Sequence, residues 1–249
     1  MEVYVLKIKF DFQKDEDFLY PVILKNTKGL FLIDCGYAGF MPLIEVAATL
    51  QGLFLKDLTG IIITHDDIDH VGGLFEIKAK YPSIKVYSSK AEAPYLSGSK
   101  KSHRLKQAED RYDALPEAQK SGALQFQDML RGIQRVPVDY IFPENEDFAF
   151  WDEGVIINTP GHTPGHISIY LKDSKTLIAG DAVVVENGEL QIANPAFTLN
   201  LEQAVTSVKH LLELEIDRII CYHGGVVESK IKQKLNKLVF KYLKRSSSI

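Results

Sequence analysis

Apolar and polar positions along the first part of the chain predict a series of strands. Residues 3–10 alternate between the two kinds, and residues 18–24 and 30–33 are mostly apolar. A turn-forming segment at 26–29 separates the last two runs, so we predict an antiparallel start to a sheet. Residues 58–63 are continuously apolar, which is typical of a strand buried on both faces.

The second part of the chain repeats this order of strands followed by helices. Short apolar runs predict further strands at residues 84–87, 155–158, 167–171, 176–179 and 217–221. Apolar residues at helical spacing predict helices at residues 42–50, 199–214 and 231–243. Two such halves indicate an α/β (α+β) fold class.

The pattern changes between about residues 90 and 136, where strand signals disappear. Apolar residues there recur at near-helical spacing, but they are too few for a core of their own. We therefore expect a helical, lid-like insertion within one domain that spans residues 1–249. Its basic patch, Lys100-Lys101-Ser102-His103-Arg104, is expected to be a solvated helix face, with an anion-steering surface as the alternative.

Composition narrows the classes of function. The 249 residues are 45% hydrophobic and 25% charged, with a net charge of −4, which disfavours nucleic-acid binding. We find neither a signal-peptide pattern nor the ~18 apolar residues that a membrane span needs. We therefore expect a cytoplasmic protein with no membrane partner, in which Cys35 and Cys221 are free buried thiols rather than a disulfide. The oligomeric state stays open, with a homodimer as one option.

Histidine and aspartate residues follow the ends of several predicted strands. Five of the seven histidines lie in these positions. Residues at the ends of neighbouring strands converge at one edge of a sheet, and buried histidine and aspartate tolerate such crowding mainly when they are paired or bind a cation. A metal site is the prediction. Its candidates are the segment His65 to His70, then His162, Asp181 and His223.

These motifs together resemble the metallo-β-lactamase-fold superfamily, whose pattern is H-x-H-x-D-H followed by H, D and H. The resemblance covers nearly the whole chain, through residues 33–36 (Ile-Asp-Cys-Gly), 65–70, 160–166, 180–181 and 223–224. It implies a four-layer αβ/βα sandwich, in which two mixed sheets are flanked by helices. It also implies two metal ions at one edge of the paired sheets.

The resemblance also assigns roles by position. It implies a first site made by His65, Asp67 and His162. It implies a second site made by Asp69, His70 and His223, with Asp181 bridging the two ions. Asp34 resembles a group that orients a ligand, and we expect His166 to form structural hydrogen bonds instead of binding metal. Zinc is the expected metal, with iron or manganese as alternatives.

One position departs from the family pattern, because Asp67 stands where the family has its second histidine. We expect Asp66 not to substitute, since its side chain would project away from this edge. An added carboxylate makes the water on the metal less acidic and a harder metal such as iron more acceptable. Aspartate is also shorter than histidine. We therefore expect an asymmetric pair of sites that differ in affinity.

The resemblance implies a metal-dependent hydrolase acting on a small molecule. A metal-bound hydroxide would attack an ester, thioester, lactone or amide carbonyl, with Asp69 positioning the nucleophile. A lactonase-like branch is weakened because its characteristic tyrosine is Val184 here, although Tyr95 or Tyr112 could supply a phenol. The alternatives are an iron-dependent redox enzyme, flavodiiron-like or persulfide dioxygenase-like, that needs a separate reductant, and a binding protein without turnover.

Overall fold

The computed structural model describes residues 1–12, 15–143, 148–151 and 153–246. The strands are β1 (Glu2–Val5), β2 (Ile8–Phe12), β3 (Asp15–Leu19), β4 (Val22–Asn26), β5 (Gly29–Ile33), β6 (Leu58–Ile62), β7 (Lys85–Ser89), β8 (Tyr140–Phe142), β9 (Phe148–Ala149), β10 (Gly154–Asn158), β11 (Ile167–Leu171), β12 (Thr176–Gly180), β13 (Val184–Glu186), β14 (Glu189–Gln191), β15 (Arg218–Cys221) and β16 (Gly225–Val227). The helices are α1 (Met41–Thr49), α2 (Ile68–Val71), α3 (Leu74–Lys80), α4 (Ala93–Leu96), α5 (His103–Tyr112), α6 (Glu117–Arg131), α7 (Leu201–Leu211) and α8 (Ile231–Ser246), with a short 3₁₀ turn at Leu55–Asp57.

Two six-stranded mixed sheets form the centre of the molecule. The first has the order β1-β4-β5-β6-β7-β8 and the second β16-β15-β12-β11-β10-β9. In the first sheet β5, β6, β7 and β8 run parallel to one another, whereas β4 is antiparallel to both of its neighbours, β1 and β5. In the second sheet only β12 and β15 are parallel among the pairs described. Both sheets are therefore mixed, as expected from the sequence.

Each central strand supplies side chains to two separate cores, because successive residues of a strand point to opposite faces. In β6 and just after it, Ile62 joins the core between the sheets, whereas Ile61 and Ile63 join the core under the helices of the first half. In β15, Ile220 faces the other sheet while Ile219 packs with α7 and α8. The continuous apolar runs are thus buried on both faces, and the predicted four-layer αβ/βα sandwich is confirmed.

Helices α4, α5 and α6 lie between β7 and β8, in the region where the sequence predicts an insertion. Leu96, Leu105, Leu130 and Ile133 join the core of the first sheet. The region therefore has no separate core among its described residues. The division of residues 1–249 into one domain with an insertion at 90–136 stays a prediction.

The strand expected at residues 3–10 is two strands in the structure. The buried residue Leu6 hydrogen-bonds the carbonyl of Pro21, and the chain then leaves the first sheet, so that β2 pairs with β3 in a separate ribbon. A second ribbon, β13 with β14, was not predicted. Cys35 and Cys221 are free and buried, as expected. Within the described ranges, none of the helices has the length and apolar character that crossing a bilayer requires.

Candidate metal centre

The predicted ligands meet at one edge of the two sheets. The segment after β6 carries residues 65–70, and the loop from β10 to β11 carries His162. Asp181 follows β12 directly, and His223 lies two residues after the end of β15. Three overlapping groups have ligand atoms within 4.8 Å of one another. They are His65 with Asp67 and His162, His65 with His70 and Asp181, and Asp69 with His70 and His223.

The second site has the spacing of a metal site. Nε2 of His223 lies 3.0 Å from Oδ2 of Asp69 and 3.6 Å from Oδ1 of Asp181. Nε2 of His70 lies 3.4 Å from Oδ1 of Asp181 and 3.8 Å from Oδ2 of Asp69. Ligand bonds of ~2.0–2.1 Å around a tetrahedral ion place neighbouring ligand atoms ~3.4 Å apart. These four distances are close to the spacing of ligand atoms around a divalent ion.

Several atoms at this edge have no hydrogen-bond partner among the described residues. Nε2 of His65, Nε2 of His70 and Oδ1 of Asp181 are buried and unpartnered. Leaving a buried polar atom without a partner costs about 1–3 kcal/mol, so such a group calls for an explanation. Imidazole nitrogens and carboxylate oxygens that converge on one space are the donor set of zinc, iron or manganese. The residues present therefore fit a metal ion.

Asp34 fixes the orientation of His70. Its Oδ2 lies 2.8 Å from Nδ1 of His70 and also accepts a hydrogen bond from Oγ1 of Thr64, while its Oδ1 accepts one from the Thr64 amide. Asp34 has a left-handed backbone, with φ of 59°. The carboxylate thus contacts the back of a predicted ligand, where the resemblance implies an orienting group.

Two further residues hold the site from behind. His166 uses both ring nitrogens, because Nδ1 contacts Thr159 and Nε2 accepts a hydrogen bond from the Asp181 amide at 2.9 Å. Gly180 makes this possible, since a Cβ there would lie 2.8 Å from Nε2 of His166. Tyr222, which we did not predict, packs on His70 and donates its hydroxyl proton to the carbonyl of Asp69.

The first site contains a cation of the chain itself. Arg104, on α5, donates from Nε to Oδ1 of Asp67 at 3.0 Å and from Nη2 to Oδ2 at 2.5 Å. Oδ2 also lies 2.9 Å from Nε2 of His162 and 3.5 Å from Nε2 of His65. Although burial opposes it, the charge of Arg104 holds the pKa of Asp67 well below its usual range.

The solvated-face interpretation of the basic patch is therefore wrong for two of its members. Lys100 and Lys101 are exposed, but Arg104 is only 3% exposed and Ser102 is buried beside it. Ser102 caps α5 by accepting the Arg104 amide, which starts the helix so that Arg104 faces inward. The sequence did contain a clue, because Asp67 stands where the family has a histidine and so adds a negative charge that a cation could balance. Helical spacing alone did not show which basic residue supplies that cation.

Asp66 points away from the ligands, as expected, and pairs with Arg135. Burial raises its pKa to about 6. Glu92, which we did not predict, lies behind the same segment and is fully buried. It accepts hydrogen bonds from the Asp66 amide, the Gly165 amide and the Thr163 hydroxyl. Burial raises the pKa of Glu92 to about 7. This carboxyl therefore joins the two ligand loops.

A cavity of about 810 Å³ opens over both sites. Phe126, Met129, Phe197 and Val184 are apolar residues of its lining. The described lining includes Tyr37 but neither Tyr95 nor Tyr112. Tyr95 instead packs against His103, and Tyr112 lies near Lys120. The suggestion that one of those two tyrosines replaces the missing lactonase phenol is not supported.

The sandwich and its cluster of histidines and aspartates define a metal-binding hydrolase-type fold. The sequence model of the metallo-beta-lactamase superfamily matches residues 20–223, and the chain belongs to that superfamily. The predicted resemblance is confirmed.

The chain is similar to two proteins of Bacillus subtilis (strain 168). It is 33% identical to "Probable metallo-hydrolase YflN" over 181 residues, which are 67% of this chain and 64% of that protein. It is 22% identical to "Probable metallo-hydrolase YybB" over 219 residues, 86% of each. The match thus spans less than two thirds of YflN. In fold it is similar to the metallo-beta-lactamase family protein TTHA1429 of Thermus thermophilus, with a TM-score of 0.67, 19% identity and coverage of 99% of this chain and 81% of that one.

Proposed function

We propose that this chain is a metal-dependent hydrolase of small carbonyl compounds: esters, thioesters, lactones or amides. The observation that carries the proposal is a buried set of converging ligand atoms, three of them without a hydrogen-bond partner among the described residues, at a site where five of the predicted ligands line a cavity. The names of YflN and YybB as probable metallo-hydrolases support it. A divalent ion at such a site supplies an activated water and polarises the carbonyl oxygen.

The chain's own residues supply the remaining requirements. Asp69, His70, Asp181 and His223 would hold the ion, and Asp34 keeps the ring of His70 in place. The side chain of Asp69 is 14% exposed and lies on the cavity lining. The Asp69 carboxylate can therefore accept a hydrogen bond from the attacking water and orient that water toward a bound carbonyl.

The cavity lining favours uncharged substrates that carry an apolar group. Asp17 and Glu186 line it in addition to the ligand carboxylates. Arg104 is the one Lys or Arg in the described lining, and its N–H groups are directed to Asp67, Gln107 and the carbonyl of Phe197. Even with Arg104 and one divalent ion counted against them, the five carboxylates of the described lining leave a net negative charge, which disfavours an anionic substrate.

The redox alternative gains no specific support from these contacts. The redox alternative depended on the carboxylate of Asp67 acting as a metal ligand that favours a harder metal such as iron. Because Arg104 neutralises that carboxylate, we propose hydrolysis alone.

The proposal is tested with metal-free protein that is reloaded with zinc, manganese or iron(II). Turnover of uncharged ester, thioester and lactone substrates should disappear on chelation and return with metal. Asp69→Asn should abolish turnover, whereas the matched change Asp139→Asn, at a carboxylate that binds the Val86 amide, should not. Oxygen consumption with a reductant, without hydrolysis by any metal form, would overturn it.

A further inference from the structure

Arg104 occupies a position in the first site that would otherwise be available to a cation. Its guanidinium forms a bidentate contact with the carboxylate of Asp67, and Nη2 is also 3.5 Å from Nε2 of His162. A cationic nitrogen therefore lies beside two of the three groups that make up this site. A planar guanidinium matches a carboxylate in this geometry, which an ammonium cannot do.

The guanidinium is fixed rather than free to move aside. Nη1 donates to Oε1 of Gln107 and to the carbonyl of Phe197, both at 2.6 Å, and the ring of Phe197 lies 5.0 Å from Cζ. The side chain is 4% exposed. Removing such a cation from its partners would leave both a buried carboxylate and several acceptors without donors, so the arrangement resists displacement.

The two sites differ in this respect. In the second site Nε2 of His70 and Oδ1 of Asp181 have no hydrogen-bond partner among the described residues. His65, whose Nε2 is also unpartnered, has a ligand atom within 4.8 Å of theirs, so a metal ion on this side would satisfy all three. In the first site both oxygens of Asp67 already accept from Arg104, and Nε2 of His162 contacts Oδ2. A divalent ion bound to Oδ2 would also lie next to the guanidinium, and like charges repel strongly where water is excluded.

We infer that Arg104 serves as the fixed cation of the first site, and that the chain tightly binds a single divalent ion, held by Asp69, His70, Asp181 and His223. This inference rests on the proposed metal-dependent function and alters the two-ion site that the sequence pattern implies. The aspartate that replaces histidine at position 67 is then explained by Arg104, because the two side chains form a buried ion pair in which each neutralises the charge of the other. Arg104 acts here through Asp67 as a positioning residue.

The inference is tested by titrating metal-free protein with Zn²⁺ and measuring the equivalents bound tightly, by calorimetry with a competing chelator and by elemental analysis. The wild-type chain should bind one equivalent. Arg104→Met should bind two, because Asp67 becomes available as a ligand. The control is Arg135→Met, which removes the neighbouring arginine–aspartate pair of Asp66 and should leave one equivalent.

The outcomes separate the two proposals. Two tight equivalents in the wild-type chain would overturn the inference and leave the hydrolase proposal standing, and so would a folded Arg104→Met protein that binds one. A wild-type chain that binds none of Zn²⁺, Mn²⁺ and Fe²⁺ would overturn both. Should Arg104→Met not fold, the ligand variants decide: Asp69→Asn should abolish tight binding while Asp67→Asn keeps one equivalent, and the reverse result would overturn the inference.

Discussion

Nδ1 of His70, on α2, lies 2.8 Å from Oδ2 of Asp34, the residue that follows β5. An ionised carboxylate only accepts hydrogen bonds, so the ring must carry its proton on Nδ1. In the neutral ring Nε2 is then the nitrogen that carries the lone pair, and it lies 3.4 Å from Oδ1 of Asp181. One contact thus sets both the tautomer and the direction of a predicted ligand.

We predict that Asp34→Asn weakens metal binding about 10- to 100-fold, because partners of this kind contribute that much to affinity. Asparagine is the suitable replacement since it tolerates the left-handed backbone of residue 34, with φ of 59°. The dissociation constant for Zn²⁺ is the measurement. Asp139→Asn serves as the control, and equal affinities for the two variants would contradict the prediction.

The sequence predicted most of the fold because burial and backbone geometry act locally. The run at residues 58–63 is apolar apart from Thr59, and the structure has β6 between two cores. The β13–β14 ribbon was missed because its three-residue strands are too short for periodicity to register. The break after Val5 was missed because it depends on Leu6 meeting Pro21, a contact between separate segments.

The site was predictable where the ligands end apolar strands, as His65, Asp181 and His223 do. The role of Arg104 was not predictable, because it depends on the tertiary placement of α5, which brings Arg104 to Asp67. No local sequence pattern indicates that placement. Glu92 was missed for a similar reason, since its partners Asp66 and Gly165 belong to loops of different halves. Charge balance at Asp67 was the only sequence clue to such a partner.

We predict that Phe126→Ala selectively impairs turnover of substrates with a long apolar group. Phe126 is half-buried on the cavity wall, near Phe197. Losing part of its contact area with an apolar group costs about 1–2 kcal/mol, or about 5- to 30-fold in kcat/KM. Kinetics with matched acetyl and octanoyl esters measure this. Leu124→Ala, on the same helix and exposed, is the control, and equal losses for both esters would count against the prediction.

We predict that Glu92 makes stability depend on pH. Burial raises the pKa of Glu92 to about 7, from 4.5 in an unfolded chain. The folded state therefore binds this proton more tightly, so the contribution to stability is fully present below the unfolded pKa and is lost as the pH rises through about 7. The full contribution is about 3 kcal/mol.

Glu92→Gln isolates this contribution, because titrations elsewhere cancel when the variant is compared with the wild-type chain. On going from about pH 8 to about pH 5, the difference in unfolding free energy should move in favour of the wild type by about 2–3 kcal/mol. Urea unfolding at several pH values measures it. A difference that does not change with pH would refute the assignment, and Glu45→Gln, at a carboxyl whose pKa is lowered by Lys80, should show no such gain at low pH.

We predict that Tyr222→Phe weakens both the fold and the metal site. The Tyr222 hydroxyl donates to the carbonyl of Asp69 at 2.7 Å and accepts from the amide of Gly36 at 3.0 Å. Its loss leaves a buried amide and a partly buried carbonyl unsatisfied, at a cost of about 2 kcal/mol in unfolding free energy. It also frees the backbone that positions Asp69, so Zn²⁺ affinity should fall about tenfold.

The control for Tyr222→Phe is Tyr170→Phe. Tyr170 also donates its hydroxyl proton to a backbone carbonyl, that of Glu215, and it lies in the core between the second sheet and its helices. Its loss should lower the unfolding free energy without changing Zn²⁺ affinity. If both variants lower stability and neither changes the affinity, Tyr222 supports the fold alone. If Tyr222→Phe alone weakens binding, its hydroxyl positions Asp69, because the two substitutions remove the same chemical group.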